Sequence, residues 1–159
     1  MKVSIVIGSL SDRDILDRIT DTLQKFEIPY ECRVLSAHRS PMAVKEFAEE
    51  ASAGGVEVII AVAGKSAHLA GIIASMTTVP VIGVPAKSSF MDGLDSLLSI
   101  VQMPGGIPVA TVGVDAGENA AILAAQILAL KYPKIGKTLS NHKLGMIEDV
   151  QVQNSKLNH

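Results

Sequence analysis

The most constraining feature of the sequence is a regular alternation between short β-branched segments and amphipathic helical segments. Four of the β-branched segments are almost wholly apolar and are bounded by Gly or Pro, which is typical of strands buried on both faces of a parallel sheet. They are predicted at Val3–Ile7, Val56–Val62, Pro80–Val84 and Pro108–Val112. A fifth segment, Tyr30–Leu35, includes Glu31 and Arg33, which favours an edge strand.

Helical periodicity fills the intervals between these strands. In the first interval the apolar residues fall on one stripe, with Ser11 placed to cap the helix. In the second, Ser40 is the expected cap and Pro41 takes the first-turn position. Helices are predicted at Asp12–Phe26, from Ser40 to Gly54, at Ser66–Met76, Asp92–Gln102 and Glu118–Tyr132, and in the tail after Pro133.

Strands that alternate with helices form right-handed βαβ units around a parallel sheet. Because the second strand is the predicted edge, the order 2-1-3-4-5 of the flavodoxin-like, doubly wound α/β fold fits best. The 159 residues suit one domain. We therefore predict a single three-layer domain over residues 1–159, with residues 132–159 as a C-terminal helical extension.

Composition and charge narrow the possible partners. The chain is 48% hydrophobic with a net charge of −2, so it lacks the basic field that attracts nucleic acid. Its longest apolar stretch, Ala120–Leu130, is much shorter than the ~20 residues that cross a bilayer. The lone Cys32 and the acidic residues close to the start indicate no secretory signal. We predict a cytoplasmic protein that binds neither nucleic acid nor membrane.

The segment 118–130 is apolar on nearly every side. A thin domain can hide such a helix only if something covers its outer face, which predicts a homo-oligomer. The alternative is a helix that the same chain covers completely.

Reactive side chains follow the first three strands of the predicted sheet. In open parallel sheets the loops after the strand carboxyl ends form the ligand crevice. Residues 8–12, 36–40 and 64–68 contribute two histidines, an arginine, a lysine, several hydroxyls and a carboxylate. The sequence therefore predicts one binding site built from three adjacent loops.

Each of these side chains suits a particular task. Ser9, before a helix start, suits a phosphate, or it caps the helix. Arg39 offers a planar fork for phosphate, and Asp12 suits ribose hydroxyls, or it stabilises the helix dipole. His38 is the candidate acid–base group because imidazole exchanges protons near neutral pH.

Two side chains of the third loop leave alternatives open. His68 is expected in the first helical turn, either in the crevice or as a hydrogen-bonded core histidine. Lys65 is expected at a helix start, where its positive charge is unfavourable beside the positive end of the helix dipole unless a bound anion compensates. The alternative is a solvated lysine. The sequence has no Gly-x-Gly-x-x-Gly motif, no metal-ligand spacing and few aromatics, so no cofactor or metal is predicted.

A set of motifs in these loops and beyond them resembles one enzyme family. They are Gly8-Ser9-x-Ser11-Asp12, Ser36-Ala37-His38-Arg39-Ser40-Pro41, Ala67-His68-Leu69, Gly83-Val84-Pro85 and the run from Asp95 to Val109. The chain is similar over Val3 to about Tyr132 to the N5-carboxyaminoimidazole ribonucleotide mutases of bacterial purine biosynthesis. The resemblance implies an octamer of flavodoxin-like subunits and a cofactor-free reaction. In that reaction a carboxylate moves from the exocyclic amine to ring carbon four of a ribonucleotide.

The resemblance also implies roles for individual residues. Ser9 and Arg39 would hold the phosphate, Asp12 the ribose hydroxyls, and His38 would be the general acid and base. The other residues expected to bind the substrate are Ser36, Gly64, Lys65, Ser66, His68 and Leu69.

The chain departs from the usual mutase pattern where Gly-Ala and a later Pro are typical, because it carries Lys65-Ser66 and Ala70. A related branch, the aminoimidazole ribonucleotide carboxylases that use free carbon dioxide, often has a basic residue followed by Ser there. That branch typically lacks the equivalents of Arg39 and His68, so the mutase interpretation is favoured and the carboxylase is the alternative. Lys65 is then expected to contact the migrating carboxylate or the phosphate. A receiver or binding module on the same fold is disfavoured, because Ala63-Gly64 stand where a receiver needs an aspartate.

Overall fold

The computed structural model describes residues 1–157, and residues 158 and 159 of the predicted extension lie outside that range. A parallel five-stranded sheet has the order β2-β1-β3-β4-β5, which confirms the predicted fold. Its strands are β1 (Val3–Ile7), β2 (Tyr30–Val34), β3 (Val58–Gly64), β4 (Val81–Ala86) and β5 (Ala110–Thr111).

Helices follow the strands as predicted, with some differences in length. They are α1 (Arg13–Lys25), α2 (Pro41–Glu50), α3 (Leu69–Ala74), α4 (Leu94–Val101), α5 (Gly117–Ala129) and α6 (Pro133–Leu157). Short 3-10 turns at Leu10–Asp12 and Met91–Gly93 lead into α1 and α4. α3 begins at Leu69 rather than Ser66, because the preceding residues form the loop that leaves β3.

The sheet is covered on both faces by apolar layers. On one face Ile5, Ile60 and Val84 pack against α1, α5 and the start of α6. On the other face Val6 and Ile59 pack against residues of α2, α3 and α4. Complete burial of β1 and of all but the last residue of β3 explains their nearly continuous apolar sequences.

Strand register brings the carboxyl ends of the sheet to one edge. Ile7 at the end of β1 lies opposite Val34 of β2 and Val62 of β3, and Gly64 lies opposite Ala86 of β4. The loops that leave β1, β2, β3 and β4 are therefore neighbours in space. This edge positions the candidate site.

The prediction of a doubly buried strand at Pro108–Val112 is wrong. Only Ala110 and Thr111 are in strand conformation, and they pair with Ile82 and Gly83 of β4. β5 is the second edge of the sheet and Ala110 is exposed, because no further strand covers its outer side.

The predicted cap Ser11 is also wrong, whereas Ser40 is the N-cap residue of α2 with Pro41 in its first turn, as predicted. Ser11 lies inside the 3-10 turn, and its hydroxyl donates to a carboxylate oxygen of Asp12 at 3.2 Å. The Ser40 hydroxyl accepts from the Ser36 N–H and donates to the Ser36 carbonyl, both at 3.1 Å. Each serine organises the loop before its helix, because the chain turns sharply there before the helix begins.

The outer side of α5 is covered only in part by the same chain. α1, α6 and the sheet all pack against α5, which buries Ala120 and Ala124, so the same chain covers much of this helix. Leu130, directly after α5, is 91% exposed, and Leu98 on α4 and Ile147 on α6 are each about half exposed, so the homo-oligomer stays a prediction. Within residues 1–157 no helix combines the length and apolar character needed to cross a membrane.

Candidate active site

A cleft of about 660 Å³ opens at the carboxyl ends of β1, β2, β3 and β4. It brings together every residue that the sequence predicted for the site. These are Ser9, Asp12, Ser36, His38, Arg39, Gly64, Lys65, Ser66, His68 and Leu69. Their placement in one cleft follows from the strand register, whereas their individual roles stay predictions.

The first wall of the cleft is the loop after β1. The Gly8 N–H donates to the Val62 carbonyl of β3 at 3.0 Å, which fixes the start of the loop to the sheet. The Ser9 hydroxyl accepts the Ser11 N–H at 3.3 Å and so caps the 3-10 turn. Ser9 therefore has a structural role, and its hydroxyl proton is still free to donate to an anion.

Asp12 ends the first wall as a half-buried carboxylate. Burial raises the pKa of Asp12 above its ordinary value, and the nearby Asp115 carboxylate raises it further, against hydrogen bonds from Ser11 and the backbone. A carboxylate in this position is stabilised by any hydroxyl that donates to it. Asp12 is therefore suited to hold a ligand hydroxyl and unsuited to contact a phosphate.

The second wall is the loop after β2, which is organised around Arg39. The Arg39 guanidinium donates to the Gly8 carbonyl at 2.8 Å through Nη2 and to the Ser36 hydroxyl at 3.2 Å through Nε. The Arg39 N–H also donates to the Ser36 hydroxyl, at 3.3 Å. This fork ties the loops after β1 and β2 together and presents a fixed positive charge to the cleft.

His38 and His68 meet across the cleft floor. His38 Nε2 lies 3.0 Å from His68 Nδ1, and the two rings are edge-to-face with centroids 5.0 Å apart. Such a contact requires that one nitrogen carries the proton and the other accepts it. Because both rings are exposed, the pair can pass a proton to a ligand in the cleft.

The third wall, after β3, differs from its prediction. Lys65 has φ of 58°, in the left-handed region, and lies ahead of α3 rather than at its start. The dipole argument for Lys65 is therefore wrong, because α3 begins only at Leu69 and has just six residues. His68 is the residue before α3 and is exposed, so it is not a core histidine.

A fourth loop, which the sequence reasoning missed, completes the cleft. Lys87, Ser88 and Ser89 follow β4 and line the site. The Ser88 hydroxyl lies 3.0 Å from each carboxylate oxygen of Asp95, and the Lys87 N–H donates to Asp115 at 2.7 Å. The signal was available, since these residues follow a strand by the same rule that identified the first three loops.

The chemical capacity of the cleft is acid–base catalysis beside an anion-binding group. Within residues 1–157 no cluster of three or more His, Cys, Asp or Glu side chains is arranged to hold a metal ion. The imidazole pair can transfer protons, Arg39 can donate hydrogen bonds to an anion, and Asp12 can accept them from hydroxyls. Together these groups fit a polar, phosphorylated small molecule that carries hydroxyl groups.

An open parallel α/β sheet with proton-transfer groups at its strand carboxyl ends defines the class of doubly wound α/β enzymes that act on small molecules. The model of the AIR carboxylase family matches residues 2–149. The chain belongs to the AIR carboxylase family.

Individual relatives agree with this assignment. The chain is 53% identical over 145 residues to the N5-carboxyaminoimidazole ribonucleotide mutase of Pyrococcus abyssi, covering 91% of this chain and 83% of that protein. It is 50% identical over 149 residues to the mutase of Thermotoga maritima, with 94% and 87% covered. The crystal structure of Treponema denticola PurE superimposes with a TM-score of 0.91 at 30% identity, covering 99% of both chains.

A second kind of relative matches only a part of a larger protein. The phosphoribosylaminoimidazole carboxylase of Candida glabrata is 50% identical over 128 residues, which are 80% of this chain and 22% of that protein.

Proposed function

We propose that this chain is a mutase that converts N5-carboxyaminoimidazole ribonucleotide into 4-carboxy-5-aminoimidazole ribonucleotide in purine biosynthesis. The observation that carries the proposal is the contact between His38 and His68 in the cleft that also holds Arg39. Relatives that are about half identical to this chain bear the name of that mutase. The proposed reaction needs proton transfer beside a bound nucleotide, which this group of side chains suits.

The cleft suggests how the nucleotide is oriented. Ser9 and Arg39 bind the phosphate, because a hydroxyl and a guanidinium held on neighbouring loops both donate toward it. Asp12 accepts hydrogen bonds from the ribose hydroxyls, and these bonds stabilise a carboxylate whose charged form is disfavoured by burial. The aminoimidazole then extends toward His38 and His68, with Ser36, Gly64, Ser66 and Leu69 forming the surrounding wall.

His38 carries both proton transfers. It protonates the exocyclic nitrogen of the substrate, the bond from that nitrogen to the carboxyl carbon breaks, and carbon dioxide is released. Ring carbon four then attacks the carbon dioxide, an electron pair moves onto a carboxylate oxygen, and His38 removes the proton from carbon four. His68 Nδ1, 3.0 Å from His38 Nε2, orients the imidazole of His38.

Retention of the released carbon dioxide in the cleft couples its loss from the exocyclic nitrogen to its addition at ring carbon four. A gas molecule held against the ring reacts as an intramolecular partner, which is worth up to roughly 7–11 kcal/mol when the geometry is good. Leakage from the cleft would uncouple cleavage from recombination. No cofactor is required in this scheme.

The test is a comparison of His38→Asn with the parent enzyme on N5-carboxyaminoimidazole ribonucleotide. Asparagine keeps a hydrogen-bonding side chain and removes proton transfer, so kcat is expected to fall by about 10²–10⁴-fold while nucleotide affinity stays within about threefold. His142→Asn is the control, because His142 lies on α6 against Phe26, away from the cleft. An enzyme that keeps full turnover with His38→Asn would refute the assignment.

The alternative function is carboxylation of aminoimidazole ribonucleotide by free carbon dioxide. Lys65-Ser66 and the similarity to the carboxylase of Candida glabrata favour it. The two functions separate when aminoimidazole ribonucleotide and bicarbonate are supplied without the N5-carboxylated substrate. Efficient product formation under those conditions would replace the mutase with the carboxylase.

We also propose that the chain acts as one domain over residues 1–159 in a cytoplasmic homo-oligomer, an octamer. Half-exposed apolar side chains on α4 and α6, such as Leu98 and Ile147, support an assembled state because water would otherwise cover them. Light scattering at micromolar concentration measures the mass directly. A mass of one 16.7 kDa chain would refute the assembly.

A further inference from the structure

Lys65 is in a backbone conformation that favours glycine. Its φ of 58° is left-handed, a region where the Cβ of other residues crowds the following carbonyl and where glycine is unhindered. Residues held this way collect at functional sites, where the surrounding structure sustains the strain. Glu27, Met91, Asp92 and Asp115 share this backbone conformation, but of the five residues only Lys65 lines the cleft, so a lysine there needs a reason of its own.

No contact within residues 1–157 supplies that reason. The Lys65 carbonyl accepts the Ala67 N–H at 2.8 Å, which a glycine would do equally well. The side chain is exposed on the cleft, and its ammonium makes no hydrogen bond or ion pair in the part of the chain that the structure describes. Lys87, across the same cleft, pairs with Asp92 at 3.2 Å, so the two lysines are not equivalent.

The position of Lys65 indicates which part of a ligand it faces. Lys65 is on the same short loop as His68, whose N–H donates to the Ser66 carbonyl and whose ring contacts His38. Arg39 is anchored to Gly8, at the loop after β1. The loop that carries Lys65 therefore belongs to the end of the cleft that holds the imidazole pair, whereas the guanidinium of Arg39 is directed to the loop after β1.

We propose that Lys65 is a specificity-determining residue that distinguishes carboxylated from uncarboxylated aminoimidazole ribonucleotides. This inference rests on the proposed function, in which the imidazole end holds the migrating carboxyl group. The Lys65 ammonium pairs with that carboxylate, which both the substrate and the product carry and which aminoimidazole ribonucleotide lacks. An ammonium paired with a carboxylate in a cleft forms a charge-assisted hydrogen bond, so the contact adds affinity for the carboxylated forms alone.

Binding of two nucleotides by calorimetry tests the proposal. Lys65→Met removes the charge and keeps a side chain of similar length. This substitution is expected to weaken the binding of 4-carboxy-5-aminoimidazole ribonucleotide about 10-fold and to change the affinity for aminoimidazole ribonucleotide by less than about twofold. Lys65→Arg keeps the charge and is expected to retain most of the selectivity. Lys45→Met, at an α2 lysine paired with Glu49, is the matched control and should change neither affinity.

Lys65→Gly separates the charge from the backbone strain. It is expected to lose the same selectivity as Lys65→Met while it raises the melting temperature, because glycine relieves the left-handed conformation. A melting temperature no higher than that of Lys65→Met would overturn the strain argument.

Two outcomes would overturn the inference and leave the proposed function intact. If Lys65→Met weakens the binding of both nucleotides equally, the ammonium contacts the phosphate that they share. If it weakens the binding of neither, Lys65 is a solvated side chain. Failure of the parent protein to bind either nucleotide or to convert the N5-carboxylated substrate would instead refute the proposed function.

Discussion

Two helical glycines have different neighbours, and Gly117 tests how closely α5 packs against α1. A Cβ added at Gly117, the first residue of α5, would lie 2.7 Å from the Ile15 carbonyl oxygen and 3.0 Å from Ile19 Cγ1, both on α1. A Cβ added at Gly71, inside α3, would lie 2.9 Å from the sulfur of Met103. The first obstacle is backbone and the second is a flexible side chain, so the two Gly→Ala substitutions form a matched pair.

The expected magnitudes follow from these neighbours. The Ile15 carbonyl cannot rotate out of the way, so Gly117→Ala requires α1 and α5 to separate, an overpacking cost of about 1–3 kcal/mol. Met103 adapts by changing rotamer, and alanine improves helix propensity by up to about 1 kcal/mol. Gly71→Ala is therefore expected to be neutral or stabilising. For a domain of this size the Gly117→Ala cost lowers Tm by roughly 2–12 °C.

Thermal unfolding followed by circular dichroism measures both effects. All variants are compared at one protein concentration, because assembly makes Tm depend on concentration. A Gly117→Ala protein as stable as the parent would show that α1 and α5 are not in backbone contact at this point. Equal losses in both variants would refute the distinction between a backbone and a side-chain obstacle.

Three further predictions test other contacts. The hydrogen bond from Lys2 lowers the pKa of Glu31 below its ordinary value of 4.5. The Glu31 carboxylate therefore stabilises the fold fully above pH 4.5, and this contribution is lost as the pH falls through the lowered pKa. Glu31→Gln should reduce the urea unfolding free energy by up to about 1 kcal/mol at pH 7 and progressively less in acid. Arg39→Lys should raise KM about 10–100-fold with a smaller change in kcat, because lysine cannot span Gly8 and Ser36; an unchanged KM would contradict the anchor. Ser96→Ala should cost about 1 kcal/mol in urea unfolding, since its buried hydroxyl donates to the Ala86 carbonyl at 2.8 Å; Ser99→Ala, at a half-buried site, is the comparison.

The central strands were predictable because burial on both faces leaves a direct trace in sequence. β1, β3 and β4 are flanked on both sides by strands and covered by helices, so nearly all of their residues are apolar, and the exception, Ser4, donates a hydrogen bond to Glu31. The same reasoning failed for β5. Val109 and Val112 fit the pattern of a buried strand, but only the two residues between them pair with β4. Edge position is a property of the whole sheet, and a local apolar pattern does not encode it.

Helix starts were harder to predict because they depend on how a loop leaves the sheet. Ser11 has the residue type of a cap but lies inside a 3-10 turn, and Ser40 is the N-cap residue of α2 without a side-chain cap hydrogen bond, because its hydroxyl contacts Ser36. The partial cover that α6 gives to α5 was hard to predict for a related reason. The polar tail gave little sign that Ile135 and Leu139 would be buried against the core.

The site was predictable in its membership and not in its conformation. The strand-end rule placed His38 and His68 near each other, but it did not show that their nitrogens lie 3.0 Å apart. The left-handed backbone of Lys65 could not be predicted from the sequence, because glycine is the residue type that indicates this conformation. Both properties come from the three-dimensional path of the loops.

The charges of the cleft imply that recognition depends on directed contacts rather than on a long-range field. The chain has a net charge of −2, and the pKa of Asp12 is raised by burial and by Asp115, so negative charge already stands beside the proposed nucleotide. A phosphorylated ligand therefore gains little until it is close enough to accept hydrogen bonds. Arg39 meets this condition because the Gly8 carbonyl and the Ser36 hydroxyl fix its guanidinium before any ligand arrives, so little side-chain entropy is lost on binding. The same carboxylates then favour ligands whose hydroxyls offset the buried charge of Asp12, which selects a ribonucleotide over a bare phosphate.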